Sequence, residues 1–250
     1  MTPEAPLATG QATAPVPEST SLSRLFTVFG SPGATFADLA RDPHFILAWC
    51  VQIVVAVIYA VTLMQRIGVY ALARQALAQS PATAAMSPAA YQHALTLTST
   101  IMSITMYAAP VWTIVLMLIL ALIFWGLGNF VLGYEARFKQ SLAMVSYAYL
   151  TMTLFSILSI IVALFSSPGN FHITNPIGTN IGFFLDKASA GAFLFALGSH
   201  LDIFAIWTVI LLGIGLACMS GKKGKTGGAL SVVVVLWLLY ILAASGLAAL

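Results

Sequence analysis

Strongly apolar runs without charge, separated by short polar connections, dominate this chain from residue 45 onward. Five of them are long enough to cross about 30 Å of hydrocarbon, which takes roughly 20 helical residues at 1.5 Å each. They fall at about residues 45–64, 103–129, 141–165, 193–219 and 229–249. The second carries Pro110, which predicts a kink. The fourth is interrupted by His200 and Asp202, and the fifth has no ionisable side chain. The pattern predicts an all-α polytopic membrane protein, with a bundle of five transmembrane helices over residues 45–250.

Ahead of the bundle the pattern is different. Residues 1–20 are rich in Pro, Thr and Ala, without a basic start or an apolar stretch, and read as a disordered tail rather than a signal peptide. Residues 21–44 read as an amphipathic interfacial segment. Leu22, Leu25, Phe26 and Phe29 recur at helical spacing on a short helix that contains Arg24. Ser31-Pro32-Gly33 then reads as a turn. Thr35 and Asp38 resemble a capping box opening a second helix to Arg41, which Asp42-Pro43 closes. Between the first two spans, Gln65–Gln79 reads as a helix extending span one, stopped by Ser80-Pro81. Ser87-Pro88 reads as the N-cap and first residue of a helix leading into span two, so the pair predicts a projecting hairpin. Residues 166–192 are turn-rich, with Phe183, Phe184 and Leu185 placed to lie against the membrane.

Composition agrees with this pattern. The 250 residues are 60% hydrophobic and 7% charged, against about 25% charged in an ordinary soluble domain. A net charge of +3 is too small for a nucleic-acid groove, so nucleic acid is excluded as a partner. Placement of the charges sets orientation instead. Arg24, Arg41, Arg137, Lys139, Lys222, Lys223 and Lys225 share one side of the expected topology, against Arg66, Arg74 and Lys187 on the other. The positive-inside rule therefore predicts a cytoplasmic N-terminus and a C-terminus outside.

Candidate chemistry is sparse. Asp202 is the one acid inside an expected span, and an intramembrane carboxylate is a functional candidate. Ile203–Met219 already makes an apolar run of 17 residues, so Asp202 also fits near the outer interface, paired with Arg66 or Lys187 or bonded to outer-loop amides. His200 stands on a different helix face from it. Gly221–Thr226 lacks the first glycine of a phosphate loop, and its Lys222, Lys223 and Lys225 read as anchors for anionic lipid headgroups. His44, His93 and His172 are scattered, no metal-ligand spacing occurs, and no cofactor is expected. Cys50 and Cys218 form no C-x-x-C and read as free thiols in apolar packing. Gly213 with Ala217, Gly126 with Gly128, and Ala56 with Ala60 permit close helix approach, including contact between copies.

Several segments together resemble one family. They are Phe29-Gly-Ser-Pro-Gly-Ala-Thr-Phe36, Gly133-Tyr-Glu-Ala-Arg-Phe-Lys-Gln-Ser-Leu142, and Leu201-Asp-Ile-Phe-Ala-Ile-Trp207 running into Leu212-Gly-Ile-Gly-Leu216. In order and spacing they resemble the Yip family of five-span membrane proteins, named for interaction with Ypt/Rab GTPases, and in particular its short bacterial members. The resemblance implies a cytoplasmic N-terminus, the bacterial inner membrane as location, and a small-GTPase-like or membrane-protein partner. It singles out Gly133, Phe138, Asp202, Phe204 and Trp207 as motif positions. Thr151 stands where many relatives carry Pro after a similar Tyr-Ala segment. The function expected is a non-enzymatic membrane protein that organises partners or lipids, with trafficking-like or envelope roles implied by resemblance. The alternatives are a translocator of a small solute, ion or lipid, resting on Asp202, Pro110 and the outer loops, and third a membrane-embedded enzyme.

Overall fold

A computed structural model describes residues 20–220 and 226–249. The tail expected over residues 1–20 lies, but for Thr20, outside the described residues. So do Lys222, Lys223 and Lys225 of the expected headgroup anchor.

Every regular element among the described residues is a helix, with a single isolated bridge, between Asn180 and Asp202, in place of any strand. Two short helices, α1 (Ser21–Gly30) and α2 (Pro32–Arg41), form a collar. Pro32 occupies the first turn of α2 rather than a turn of chain, because that position needs no N–H donor. Thr35, expected as a cap, lies inside the helix and hydrogen-bonds the Ser31 carbonyl and the Thr27 hydroxyl.

Four helices are long and apolar enough to cross a membrane: Ile46–Ile67, Ala109–Val131, Phe138–Phe165 and Thr226–Leu247. This corrects the expectation of five unbroken spans. The fourth apolar run is broken at Leu201–Asp202 into α10 (Ala192–His200) and α11 (Ile203–Cys218), neither as long as a full crossing. Asp202 takes an extended backbone, φ −99° and ψ 141°, and its carboxylate caps the new helix. α10 and α11 both pack on the last helix, α12 (Thr226–Leu247).

The other spans carry their own irregularities. Span one is α3 (Ile46–Thr62) followed by a wide turn, Leu63–Ile67, that ends at Gly68. Gly68 has φ +85°, a backbone that a side chain would strain, and it separates span one from α4 (Val69–Ala78). α4 therefore folds back instead of extending the span, and packs on α5 (Pro88–Tyr107) as the expected hairpin. Ser87 is the N-cap of α5, its hydroxyl accepting from the Ala90 N–H, and Pro88 is the first helical residue. Pro110 sits in the first turn of α6 (Ala109–Gly126), so the expected kink is a joint between two helices at Ala108. Span three is α7 (Phe138–Ala148) and α8 (Leu150–Phe165), interrupted at Tyr149 without any proline. The Thr151 hydroxyl donates to the Ala148 carbonyl at 2.9 Å, a back-bond that bends helices.

Polar groups inside lipid must find partners within the protein, and here they tie helices together. Trp49 Nε1 donates to Ser146 Oγ at 2.8 Å, Gln52 Nε2 to the Ser146 carbonyl at 2.6 Å, and Ser141 Oγ to the Ala121 carbonyl at 2.7 Å. At the other extreme of contact, a Cβ on Gly213 would lie 2.9 Å from Leu230 Cα, so α11 and α12 meet nearly backbone to backbone.

The collar belongs to this core. Val28, Phe36 and Leu39 are buried with residues of α7, α11 and α12, while Leu22 and Phe26 face outward. Arg24 is buried on the inner face of α1 and binds Asp38 through Nε at 2.8 Å and Asp42 through Nη2 at 3.1 Å. Arg24→Ala would remove the nearer of two cations on Asp38, Arg41 Nη2 remaining at 3.6 Å, and a lost hydrogen bond to a charged group costs about 1.5–3 kcal/mol. The collar should then loosen: limited proteolysis is expected to cut within residues 30–45 faster than in the wild type, while the helical circular dichroism of the bundle is retained.

Candidate functional site

The break between α10 and α11 is held closed by the loop before it. A backbone leaving helical geometry in an apolar environment exposes N–H and C=O groups that cost several kcal/mol each if left alone. Residues 175–184 supply the partners. The Ile203 N–H donates to the Thr179 carbonyl at 3.1 Å, and the Thr179 hydroxyl donates to Asp202 Oδ2. Asp202 Oδ1 accepts from the Phe204 N–H at 2.8 Å. Asn180 caps the short turn Ile181–Phe184 through the Phe183 N–H. That turn lies directly on α10, since a Cβ on Gly182 would fall 2.6 Å from the Ser199 backbone nitrogen. Asn175 Nδ2 donates to Ser199 Oγ at 3.0 Å, fastening the loop a second time.

Behind this closure lies a partly open cavity of about 430 Å³ lined by α6, α8, α10, α11 and α12, within the usual range for small-molecule sites. Its walls are apolar: Leu116 and Leu120 of α6, Met152 and Phe155 of α8, Val209 and Leu212 of α11. Lining residues of α11 run from Asp202 to Leu212, about 15 Å along the helix axis. Polar groups gather where Asp202, Ser199, His200 and Asn180 meet. Tyr149, Trp237 and Tyr240 add aromatic rings, with the His200 and Tyr240 rings edge to face at 5.5 Å. Thr208 Oγ1 lies 2.7 Å from the Phe204 carbonyl and within hydrogen-bond distance of the Thr151 hydroxyl, so the two threonines share their two protons among these contacts and join α8 to α11.

Asp202 is buried, 7% exposed, yet pairs with neither cation weighed for it. Arg66 Nη2 donates to the Leu164 carbonyl at 2.8 Å and Lys187 Nζ to the Gln79 carbonyl at 3.0 Å. Among the described residues no cation stands at ion-pair distance from Asp202. Bonding to the outer loop is the arrangement found.

The remaining candidates are dispersed. Phe204 stacks edge-on against Phe155 at 5.8 Å, and Trp207 against Phe29 of the collar at 5.4 Å. Gly133, with φ +68°, and Phe138, the first residue of α7, belong to the turn between spans two and three and do not line the cavity. That turn is closed by Asn129, whose Oδ1 accepts from the Ala136 N–H at 2.8 Å. Ser199, His200 and Asp202 share one cavity without hydrogen-bonding one another, so they form no nucleophile–base relay. Among the described residues no group of three His, Cys, Asp or Glu is placed to hold a metal. Thr179 and Thr208 escape sequence reading, because each acts through a partner distant in the chain, Asp202 and Thr151.

The family model for the Yip1 domain matches residues 26–246. No curated protein matches the chain, and no solved structure does.

If Asp202 acts locally as a cap, Asp202→Ala should lower stability by about 0.5–2 kcal/mol, while Asp202→Asn, which keeps an acceptor oxygen, should cost a few tenths. Thermal unfolding in detergent checks this. Thr179→Val combined with Asp202→Ala should cost less than the sum of the two single changes, because the two side chains share one hydrogen bond.

Proposed function

The chain belongs to the Yip1 domain family, and on that premise we propose that it is a non-enzymatic integral membrane protein that organises lipids, and through them partners, by holding a lipid inside its helix bundle. The observation that carries this reading is the cavity of about 430 Å³, apolar along its walls and polar at the break between α10 and α11. A site of that make-up suits a molecule with an apolar body and a polar end. Because α10 and α11 both pack on α12, we read them as one broken crossing, the fifth of the bundle. Five crossings and the charge distribution support a cytoplasmic N-terminus and an outward C-terminus. On that topology the collar, Arg137, Lys139 and the three lysines at 222, 223 and 225 form the cytoplasmic face, where a small-GTPase-like or membrane-protein partner and anionic headgroups would be met. A bacterial inner membrane is the location that the family resemblance favours.

A second reading has the same cavity for its support. A buried carboxylate facing a cavity, rather than Arg66 or Lys187, is what translocation of a small solute, ion or lipid would use. In reconstituted liposomes that reading requires a flux that Asp202→Asn abolishes. The third reading, an enzyme, has no relay among Ser199, His200 and Asp202 to support it.

Extraction into nanodiscs with native lipid, followed by lipid mass spectrometry, tests the proposal. A stoichiometric lipid should survive purification, and Ala205→Trp, which fills the cavity, should release it. A protein recovered folded and lipid-free rejects this reading.

A further inference from the structure

We infer that the cavity beside Asp202 selects a lipid with a primary ammonium headgroup, an ethanolamine phospholipid of the surrounding membrane, whose ammonium sits on the Asp202 carboxylate. The inference rests on the lipid-holding reading above and specifies its ligand.

The carboxylate comes first. An ionised carboxylate offers about four acceptor sites, and the structure uses one on each oxygen: the Phe204 N–H on Oδ1 and the Thr179 hydroxyl on Oδ2. Both donors are neutral, and among the described residues no cation reaches Asp202. A carboxylate 7% exposed at the polar end of an apolar cavity is therefore provided with hydrogen bonds and left without a countercharge. A ligand that brings a cation with N–H donors completes it.

The surroundings point the same way. Tyr149, Trp237 and Tyr240 line the same cavity, and aromatic faces attract cations through their quadrupole. Among the described residues no Lys or Arg lines it, so a headgroup of net negative charge would face a carboxylate with nothing to offset it, whereas an ethanolamine headgroup carries its own ammonium beside its phosphate. A quaternary ammonium would satisfy the rings but offers no N–H to the free acceptor sites of Asp202, which favours ethanolamine over choline. The apolar walls between Leu116 and Leu212 then receive an acyl chain lying along α11.

The test is competitive. Wild type is reconstituted in vesicles of equal ethanolamine, choline and glycerol phospholipid with matched chains, re-extracted into nanodiscs or detergent, and its retained lipid is quantified by native mass spectrometry. Ethanolamine lipid should be enriched about fivefold over choline lipid, the ratio given by roughly 1 kcal/mol of charge-assisted and cation–π preference. Asp202→Asn, which keeps the cap acceptor, should retain lipid and lose the enrichment. Tyr240→Leu removes an aromatic face at a residue that is 58% exposed, so it spares the core and guards against misfolding of the Asp202 variant. It should reduce the enrichment in part. Lipid retained without headgroup preference overturns this inference and leaves the lipid-holding reading standing. Enrichment that persists in Asp202→Asn also overturns it, because the carboxylate is then not the recognition point. No retained lipid at all overturns both.

Discussion

The structure depends on one constraint: a backbone that leaves the helix in a medium without water must have each freed N–H and C=O met by the protein itself. At Leu201–Asp202 the chain leaves the helix, and the loop of residues 175–184 exists, structurally, to meet the cost. Thr179 serves both the backbone of Ile203 and the side chain of Asp202. Asn180 pairs with Asp202 as a fragment of antiparallel bridge. Gly182 and Gly198 are without side chains where the loop meets α10, because a Cβ on either would meet backbone of the other element at 3.0 Å or less. The cavity is what remains behind that closure. A straight helix through the same residues would have no reason to gather Asn180, Ser199, His200 and Asp202 in one place.

A second set of bonds holds the opposite wall. Thr151 bends span three by bonding back to Ala148 and reaches across to Thr208, fixing the distance between α8 and α11. Gly213 lets α12 close on α11 at that point, where a Cβ would lie 2.9 Å from Leu230 Cα. The enclosure is thus rigid on the α11–α12 side. Towards α6 it is bounded by Leu116 and Leu120, unbranched at Cβ and free of polar anchors.

Much of this architecture is legible in the sequence, for reasons that can be named. A run of apolar residues long enough to cross a bilayer announces itself by composition, and Ser87-Pro88 announces its helix start by chemistry. The break at Asp202 is half legible: the residue is conspicuous, but its role is set by Thr179, 23 residues earlier in a loop with no periodicity. Pro32 misleads because proline is at home both in a turn and at the first turn of a helix. Tyr149 interrupts span three with no breaker residue to mark it. The cavity walls are the least legible part. Lipid and cavity are both apolar, so nothing in the pattern separates Leu120, which lines the cavity, from Leu122, 57% exposed and facing outward two residues later. Hydropathy counts crossings and is silent about what they enclose.

The chain order of the enclosing parts has a bearing on how the protein is made. A ribosome delivers Thr179 before Asp202, so one of the carboxylate's two donors precedes it, and the other, the Phe204 N–H, follows two residues later. α12, the last of the cavity's walls in chain order, follows both. In the finished fold α12 covers one flank of α11, meeting it at Gly213. The wall at Gly213 is therefore the last part of the cavity's lining that the chain order supplies, after the carboxylate and its cap.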